Sequence, residues 1–513
     1  MSMPLETATH PERLRRVCIE PLTRVEGHGK VTLLLDDADQ VQQARLHIVE
    51  FRGFERFIQG RPFWELPVTV QRLCGICPVS HHLAAAKACD RLVGVAELSP
   101  TAEKVRRLMH FGQVLQSHAL HFFHLSSPDL LFGFDDAPAH RNIVGVIQDE
   151  PELARRGVLL RRYGQEVIRV CAGKRIHGTG AIPGGVNKAL DNADRELLSA
   201  DIAQVIDWAE EAVVLMQQLF EAGGDAYRSF GAVPANTLSL VRPDGALELY
   251  DGGLRARDPD GEPIFDHASD QDYSTLLNEQ VKPWSYMKFP FIAALGAEAG
   301  WYRVGPLARV NNCDYIDTPR AEAARRAFGA AGEGRPVQAV LATHWARLIE
   351  LLHCAESIGR LLDDTDIVGN ELLREGESGQ LGRQRTGIGV IEAPRGTLFH
   401  HYEIDPDGLV TRANLIVSTT NNNQAMNESI RRVARDELDG YALTEGLLNR
   451  IEVAIRAYDP CLSCATHALG QMPLAVTLAR RDGIVLDVLR RDADGAVRRG
   501  DEPISSTTAT APA

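Results

Sequence analysis

RLCGICPVSHH, residues 72–82, contains two cysteines spaced C-x-x-C, with a histidine four residues after the second cysteine. Two thiolates are half of a tetrahedral metal site. In a zinc ribbon the second pair follows about 15–20 residues later, and no such pair occurs there. The next C-x-x-C lies near the other end of the chain, in YDPCLSCATH, residues 458–467. A shared metal site would therefore require a fold that brings the two ends of the chain together.

Composition narrows the class of protein. The chain has 513 residues, 44% of them hydrophobic, and a formal net charge of −14 at pH 7. This charge argues against nucleic acid or an anionic membrane surface as the main partner. Residues 1–16 lack the apolar stretch of a secretory signal, and no apolar run reaches the roughly 18 residues that span a bilayer. Nine cysteines are too few for a disulfide scaffold, so the C-x-x-C pairs favour metal or redox chemistry.

Hydrophobic periodicity predicts long helices as the body of the fold. One begins at Ser99-Pro100, an N-cap followed by proline at the first helical position, and continues to residue 125. The same spacing of apolar residues predicts further helices over 195–222, 337–364 and 444–458. The second helix is expected to stop at Gly223-Gly224.

Strands are predicted outside this helical body. Residues 17–58 are typical of short strands and turns, residues 240–280 of a long extended excursion, and the segment after residue 473 of a strand, a turn and a second strand. The predicted fold is mainly α, of the α+β kind, with a long-helix bundle core and peripheral N-terminal β-strands and hairpins. No linker is found within residues 1–467, which are expected to form one domain followed by a C-terminal extension, residues 468–513.

Four thiolates select zinc, iron–sulfur clusters or softer redox metals including nickel. A structural zinc that pins the two chain ends together is the simplest interpretation of two C-x-x-C pairs. The flanking residues exceed what such a site needs, because an arginine precedes the first pair, Asp459-Pro460 precedes the second, and a histidine follows each. From residue types alone, the zinc and redox-metal interpretations both remain open.

The flanking residues resemble the large subunit of nickel–iron hydrogenases. The first signature of that family, R-x-C-G-x-C-x-x-x-H, is met by Arg72, Cys74, Gly75, Cys77 and His81. The second, D-P-C-x-x-C-x-x-H, is met by Asp459, Pro460, Cys461, Cys464 and His467. Further similarity lies in PLTRVEGHGK (21–30), FRGFE (51–55), KRIHGTGAIPGGV (174–186) and IEAPRG (391–396).

The resemblance implies a nickel–iron centre held by the four motif cysteines. Cys74 and Cys461 would be terminal ligands of nickel, and Cys77 and Cys464 would bridge nickel to an iron that carries carbon monoxide and cyanide. The implied activity is the reversible heterolytic cleavage of dihydrogen to protons and electrons. That reaction needs a Lewis-acidic metal and a base beside it, and a metal-bound thiolate supplies the base at minimal distance.

The same resemblance gives roles to residues around the centre. Glu26 would take a proton from a terminal thiolate, because burial can bring a carboxyl pKa near neutral. Arg395 would hold its guanidinium, which keeps its charge at any working pH, over the open metal position. His81 would donate a hydrogen bond to a bridging sulfur. Thr419 and Pro394 would contact the cyanide and carbon monoxide on the iron.

The resemblance also implies a second cation, and the sequence departs from the family pattern at two places. Glu55, His467 and the Leu415 carbonyl resemble the ligands of a Mg²⁺ ion that connects the C-terminus to the core. Ser117 stands where many members carry an aspartate, and V-P-T-T-W-N is replaced by V-S-T-T-N-N at residues 417–422. The second departure bears on the residues that would surround the cyanide ligands.

Three segments resemble one group of these enzymes, the soluble bidirectional hydrogenases: SYMKFPF (285–291), GPLARVNN (305–312) and VSTTNNNQAMN (417–427). Within this group, DPCLSCATHALGQMPL (459–474) most resembles the NAD-reducing enzymes. The expected partners are a small subunit with iron–sulfur clusters, together with diaphorase subunits that carry flavin and iron–sulfur clusters. Outside the motifs the chain has neither cluster-like cysteine spacing nor a G-x-G-x-x-G turn for a nicotinamide. The expected compartment is the cytoplasm.

In this family an endopeptidase removes the C-terminal extension after the motif histidine, once chaperones have inserted nickel. Here that bond would be His467–Ala468. Two alternatives are kept open. One is a hydrogenase of another soluble group with a different electron acceptor. The other is a structural zinc or scaffold protein related to the quinone-reducing subunit of respiratory complex I, although that subunit lacks the four cysteines.

Overall fold

The computed structural model describes most of the chain: residues 15–19, 22–36, 40–48, 50–51, 53–282, 284–374, 384–438, 445–465, 474–479, 485–491, 497–499 and 502–503. No helix among these residues is long and apolar enough to cross a membrane. The fold is mainly helical, with small sheets around the helices and one sheet in the interior. The predicted fold class is therefore confirmed.

The α-helices of the described residues, in chain order, are α1 (Phe54–Phe57), α2 (Leu66–Thr69), α3 (Pro78–Leu92), α4 (Pro100–Leu120), α5 (Ser127–Phe132), α6 (Ile143–Asp149), α7 (Pro151–Ala172), α8 (Asn192–Ser229), α9 (Tyr273–Leu276), α10 (Gly296–Ala299), α11 (Pro306–Asn312), α12 (Pro319–Ala330), α13 (Ala342–Asp363), α14 (Ser418–Asn421), α15 (Asn423–Leu438) and α16 (Glu445–Ala457). Helix α4 packs against α7 and α13, and α13 packs against α8, so these four form the body. The crossing of α4 and α7 is close, because a Cβ added at Gly164 would lie 2.6 Å from the Gly112 carbonyl oxygen.

The predicted helices are found, with changes at their ends. Ser99 caps α4 as predicted, its hydroxyl accepting a hydrogen bond from the Ala102 N–H at 3.1 Å. The helix expected to reach residue 125 instead ends at Leu120 and continues as a π-helical segment, His121–Ser126. The helix expected to stop at Gly223-Gly224 is interrupted there, because Gly224 has the non-helical φ of 52° and ψ of −137°. Glycine tolerates this positive φ, and a short second helical segment follows the kink and ends at Ser229.

The strands of the described residues are β1 (Arg15–Ile19), β2 (Gly29–Leu35), β3 (Val41–Ile48), β4 (Ala181–Ile182), β5 (Gly185–Val186), β6 (Asn236–Val241), β7 (Gly253–Arg257), β8 (Pro263–Ala268), β9 (Leu277–Gln280), β10 (Phe289–Ile292), β11 (Tyr302–Arg303), β12 (Thr386–Ala393), β13 (Gly396–Ile404), β14 (Val410–Ile416), β15 (Leu474–Ala479), β16 (Val485–Arg491), β17 (Val497–Arg499) and β18 (Glu502–Pro503). The N-terminal strands form the antiparallel sheet β1-β2-β3, and β15 and β16 form the predicted hairpin of the extension.

The sheet that carries part of the site was not predicted. Strands β12, β13 and β14 form an antiparallel sheet in that order, and β12 packs on α3. Both β12 and β13 are buried along most of their length. Because these strands are buried on both faces, they lack the apolar–polar alternation that marks a half-exposed strand, and periodicity did not reveal them.

Candidate metal centre

The fold brings the four motif cysteines together. Cys77 immediately precedes α3, and Cys461 follows α16 after a short turn. The Cys74 and Cys461 sulfurs are 3.3 Å apart, the Cys77 and Cys464 sulfurs are 3.8 Å apart, and all four lie within 4.8 Å of one another. Sulfurs bound about 2.3 Å from one metal at tetrahedral angles stand about 3.8 Å apart, so the spacing fits metal ligation.

The four cysteines are buried free thiols, and burial and mutual hydrogen bonds move the pKa values of Cys77, Cys461 and Cys464 in opposite directions. Burial raises the pKa of Cys461 and of Cys464 well above the usual range. Hydrogen bonds from the neighbouring sulfurs lower the pKa of Cys77. Four thiolates in one buried cluster need a compensating cation, and metal binding releases their protons. The donor set is suited to a soft metal rather than to Mg²⁺ or Ca²⁺.

Glu26 lies beside the cluster, where the sequence predicted it. Its Oε2 is 3.0 Å from the Cys461 sulfur and accepts a hydrogen bond from the Ser463 N–H at 3.1 Å. The Ser463 hydroxyl donates to Oε1 at 2.5 Å. Gly27 makes this approach possible, because at its φ of +82° an added Cβ would lie 2.7 Å from the Ser463 nitrogen. Ser463, which the sequence analysis did not identify, thus donates a hydrogen bond to each oxygen of the Glu26 carboxylate.

The backbone at Glu26 is anchored by a neighbouring arginine. The Arg24 guanidinium pairs with Asp129 at 2.6 Å and donates to the Leu125 carbonyl at 2.9 Å. Arg456 pairs with the same carboxylate at 2.7 Å, so that Asp129 joins the N-terminal motif to α16. The Leu462 N–H then donates to the Glu26 carbonyl at 3.0 Å. These contacts fix the segment that carries Glu26 against the segment that carries Cys461.

Arg395 projects from a tight hairpin. Ala393 pairs with Gly396 in the β12–β13 register, so Pro394 and Arg395 form a two-residue turn. The side chain is buried and points at the start of the second cysteine motif, donating to the Asp459 carbonyl at 2.5 Å and to Asp459 Oδ1 at 2.9 Å. Burial alone would lower its pKa, but Asp459 and the cluster sulfurs raise it well above the usual range.

Ser117, the first departure from the family pattern, contacts this guanidinium. Arg395 Nη1 donates to the Ser117 hydroxyl oxygen at 3.3 Å. A neutral hydroxyl therefore stands where many family members place a second carboxylate. Asp459 alone carries the countercharge within hydrogen-bonding distance of Arg395 among the described residues.

A second buried arginine holds the hairpin that presents Arg395. Arg309 on α11 donates to the carbonyls of Ala393 at 2.9 Å and Pro394 at 3.2 Å. It also forms a bidentate pair with Glu350, at 2.6 Å on each arm, and contacts Glu392 at 2.8 Å. The sequence analysis noted the GPLARVNN segment only as a mark of the soluble bidirectional group and gave Arg309 no role.

A cavity of about 10 Å³ separates the hairpin from the cluster, and its lining includes Cys77, Pro394, Arg395, Leu398 and Thr419. The Cys461 N–H donates to the Thr419 hydroxyl oxygen at 3.0 Å, which leaves the hydroxyl hydrogen free to point into the cavity. The Ser418 hydroxyl, by contrast, donates to the Gly396 carbonyl at 2.7 Å. The geometry thus favours Thr419 over Ser418 as a donor to a small ligand.

Glu55 and Leu415, two of the three predicted Mg²⁺ ligands, are in contact. The Leu415 N–H donates to Glu55 Oε1 at 2.9 Å, and burial raises the pKa of Glu55 to about 7. Since N–H and C=O of one strand residue point to the same side, the Leu415 carbonyl also faces Glu55. A carboxylate and a carbonyl are the oxygen ligands that Mg²⁺ takes. His467, the third, lies outside the described residues.

Family models match most of this chain. The nickel-dependent hydrogenase model matches residues 52–132 and 251–467, and a HoxL-like model matches residues 16–51. The chain belongs to the nickel-dependent hydrogenase family. This assignment confirms the resemblance drawn from the cysteine signatures and decides against a structural zinc or scaffold protein.

Individual relatives narrow the hydrogenase group. The chain is 49% identical over 490 residues to the beta subunit of NAD-reducing hydrogenase HoxS of Cupriavidus necator, covering 92% of this chain and 99% of the relative. It is 42% identical over 471 residues to one subunit of the F420-non-reducing hydrogenase of Methanothermobacter thermautotrophicus, covering 90% and 96%. A solved NAD⁺-reducing [NiFe]-hydrogenase in the H₂-reduced state matches at a TM-score of 0.86 and 58% identity, covering 88% of this chain and 99% of that one.

His82, which the sequence analysis left without a role, fixes the first hydrogenase signature in the fold. Its Nδ1–H donates to the Pro67 carbonyl at 2.7 Å, and its Nε2 accepts from the Ala181 N–H at 2.8 Å. Burial lowers the pKa of His82 to about 4, so the ring is neutral in the folded hydrogenase. This neutral ring connects the start of α3 to the β4–β5 hairpin.

The stability that His82 contributes is expected to be present above about pH 6.5 and to be lost as the pH falls toward 4. The reason is that its folded pKa lies below the unfolded value. For His82→Gln in nickel-free protein, the deficit in unfolding free energy should shrink by about 2 kcal/mol between pH 7.5 and pH 5. Chemical denaturation at both pH values measures it. A deficit that stays constant with pH contradicts the expectation. His140→Gln is the control, because hydrogen bonds to Asp136 and Asp149 raise the pKa of His140.

Arg309→Met is expected to destabilise the hydrogenase chain by about 3–5 kcal/mol, because it leaves Glu350 and Glu392 buried without their cation. Denaturant unfolding of the nickel-free protein measures the loss. Arg320→Met is the control: its ion pairs with Asp207 and Glu210 are exposed, so about 0–1 kcal/mol is expected. Equal losses of unfolding free energy in the two variants would contradict the stabilising role assigned to the buried ion pairs of Arg309.

Proposed function

We propose that this chain is the catalytic subunit of a nickel–iron hydrogenase that cleaves dihydrogen reversibly and delivers the electrons, through a small subunit, to NAD⁺. One observation carries the proposal: four buried cysteine sulfurs lie within 4.8 Å of one another, with the Glu26 carboxylate on one of them. The 49% identity to a subunit of an NAD-reducing hydrogenase supports the choice of acceptor.

Cys74, Cys77, Cys461 and Cys464 would hold nickel and iron. When bound, this centre supplies the Lewis-acidic site at which dihydrogen is polarised. The Cys461 sulfur is the nearest base, and its 3.0 Å contact with Glu26 Oε2 allows direct transfer of a proton to the carboxylate. Ser463 holds both carboxylate oxygens in place for this transfer. Glu26 is half-buried, so it leads from the cluster toward the surface.

Arg395 and the cavity lie beside the same centre. The guanidinium is a fixed positive charge, oriented by Asp459 and kept dry by burial. Such a preorganised charge stabilises negative charge that develops beside it during the reaction. Thr419 would donate a hydrogen bond to a carbon monoxide or cyanide ligand of the iron. Pro394 and Leu398 would supply the apolar contacts.

We extend the proposal to a Mg²⁺ ion on Glu55, the Leu415 carbonyl and His467. The extension, residues 468–513, would be removed by a maturation endopeptidase at His467–Ala468 after chaperones insert nickel. Cleavage would make His467 the C-terminus, beside Glu55. Intact mass of the active, nickel-loaded protein tests this step, and a chain that still ends at Ala513 refutes it. The remaining partners are a small subunit with iron–sulfur clusters, together with flavin-containing diaphorase subunits, and we place the complex in the cytoplasm.

The test is dihydrogen-dependent reduction of NAD⁺ by the native complex, purified through this chain, with a viologen dye as a parallel acceptor. Cys461→Ser should abolish both activities and remove nickel. Cys354→Ser, at a buried cysteine on α13 that no motif contains, should retain them. Activity with viologen alone would support a hydrogenase with another acceptor. No activity in wild-type complex that is free of nickel would contradict the proposal.

A further inference from the structure

Three buried side chains lead away from the metal cluster at Cys77, whereas Glu26 contacts Cys461. His81 lies in the first turn of α3, four residues after Cys77, and both side chains line the cavity beside the cluster. A hydrogen bond from His81 is one of the contacts of the Cys77 sulfur. The Nδ1 of His81 lies 3.1 Å from the Nε2 of His400, and the Nδ1 of His400 lies 2.6 Å from the Tyr402 hydroxyl. The three side chains are at most 1% exposed. They form a continuous series of hydrogen bonds that starts at a cluster sulfur.

Only one arrangement of hydrogens satisfies this series with three neutral groups and a thiolate. A thiolate accepts hydrogen bonds, so the ring nitrogen of His81 that faces it, Nε2, must carry the hydrogen. The other nitrogen, Nδ1, then accepts from Nε2–H of His400, and Nδ1 of His400 accepts from the Tyr402 hydroxyl. The opposite order would turn a bare nitrogen toward the thiolate. Every bond in the series therefore donates toward Cys77.

Rigid elements hold the three groups. His400 and Tyr402 are two residues apart on β13, so they share one face of the central strand of the β12–β14 sheet. His81 lies in the first turn of α3, which packs on β12 and β13. Groups fixed by helix and strand keep their geometry better than groups on loops.

The series ends inside the protein. Tyr402 belongs to an apolar cluster with Ile58, Val70, Leu73 and Ile404. Burial raises the pKa of Tyr402 well above its usual range, so the phenol keeps its proton. A hydroxyl that stays protonated in an apolar surrounding is poorly suited to pass protons to water. The series is therefore suited to fixing the ring hydrogens rather than to carrying protons away.

We propose that His400 and Tyr402 are positioning residues for His81: they hold it in the tautomer whose Nε2–H donates to the Cys77 sulfur, and thereby set the electron density of that ligand. The inference rests on the proposed nickel–iron site. A donated hydrogen bond withdraws electron density from the sulfur, so that losing it favours the oxidised metal and lowers the reduction potential.

The test compares four variants in the purified complex: His400→Leu, which breaks the series; His400→Gln, whose amide can both donate to His81 and accept from Tyr402; Tyr402→Phe; and Tyr163→Phe. Tyr163, on α7, is the matched control, because its hydroxyl is also buried and donates to the Leu198 carbonyl at 2.9 Å. Two quantities are measured: the nickel content, and the reduction potential of the nickel centre. The potential is determined by electron paramagnetic resonance during a redox titration.

His400→Leu is expected to lower the potential by about 60 mV, a tenfold change in a one-electron equilibrium, with a smaller shift in Tyr402→Phe. His400→Gln and Tyr163→Phe should stay near the wild-type value. An unshifted potential in His400→Leu, or equal shifts in the Leu and Gln variants, would overturn the inference. If His400→Leu does not bind nickel, the potential of Tyr402→Phe tests the inference instead, because this variant removes a single oxygen atom and leaves both histidines in place. An unshifted potential in Tyr402→Phe would then overturn the inference. Wild-type complex without nickel would instead overturn the proposed function.

Discussion

Glu26→Gln is expected to lower dihydrogen-driven dye reduction by about 10²–10⁴-fold, the usual contribution of a positioned acid or base. Glutamine has nearly the same shape, and its carbonyl can still accept the hydrogen bond from the Ser463 N–H. It cannot take up a proton from the Cys461 sulfur. The steady-state rate with viologen measures the effect, with nickel content determined on the same samples.

Isotope exchange separates the role of Glu26 from a loss of the metal site. If Glu26 carries the proton away, exchange of D₂ with solvent protons should fall together with dye reduction, while nickel content stays at the wild-type level. Glu211→Gln, at an exposed carboxylate paired with Arg156, is the control and should keep both rates. A Glu26→Gln enzyme that is fully loaded and exchanges D₂ at the wild-type rate would show that the proton leaves by another route.

Arg395→Lys is expected to reduce kcat by about 10²–10³-fold, the range found when one preorganised electrostatic group is removed from an active site. Lysine keeps the charge but has no planar fork, so it cannot hold the Asp459 carbonyl, the Asp459 carboxylate and Ser117 together. The charge would no longer be fixed above the cavity. Initial rates at varied dihydrogen pressure measure kcat and KM separately.

The expected pattern for Arg395→Lys is a lower kcat with nickel content unchanged. Arg360→Lys is the matched control, since Arg360 pairs with Asp317 and is half exposed. A change confined to KM would mean that Arg395 affects access or binding of dihydrogen rather than the reaction itself. Wild-type kcat in Arg395→Lys would contradict its proposed electrostatic role.

The cysteine cluster could be predicted from sequence because its ligands come in short motifs with fixed spacing. The same holds for Glu26 and Arg395, because each lies inside a short sequence motif of the family. Residues that act by contact across the fold left no such mark. Arg309 donates a hydrogen bond to the carbonyl of Ala393, 84 residues away in sequence. Ala393 ends β12, a buried strand without the apolar–polar alternation that would have predicted it.

Ser463 and His400 illustrate two further limits of sequence analysis. Ser463 occupies a variable position of the second cysteine signature, and its role depends on a Glu26 oxygen 437 residues away in sequence. His400 lies in a buried strand, where a histidine is more often satisfied by backbone than part of a functional series. Its importance follows from the 3.1 Å contact with His81, which needs α3 and β13 to be packed together.

The pairing of Cys74 with Cys461 across 387 residues has a consequence for synthesis of the protein. At about 5–20 residues per second, a ribosome needs roughly 20–80 s to reach the second cysteine pair after making the first. Throughout that interval the nascent chain carries two thiols whose partners do not exist yet. Ligation of one metal centre by all four cysteines must therefore wait until synthesis has reached Cys461 and Cys464.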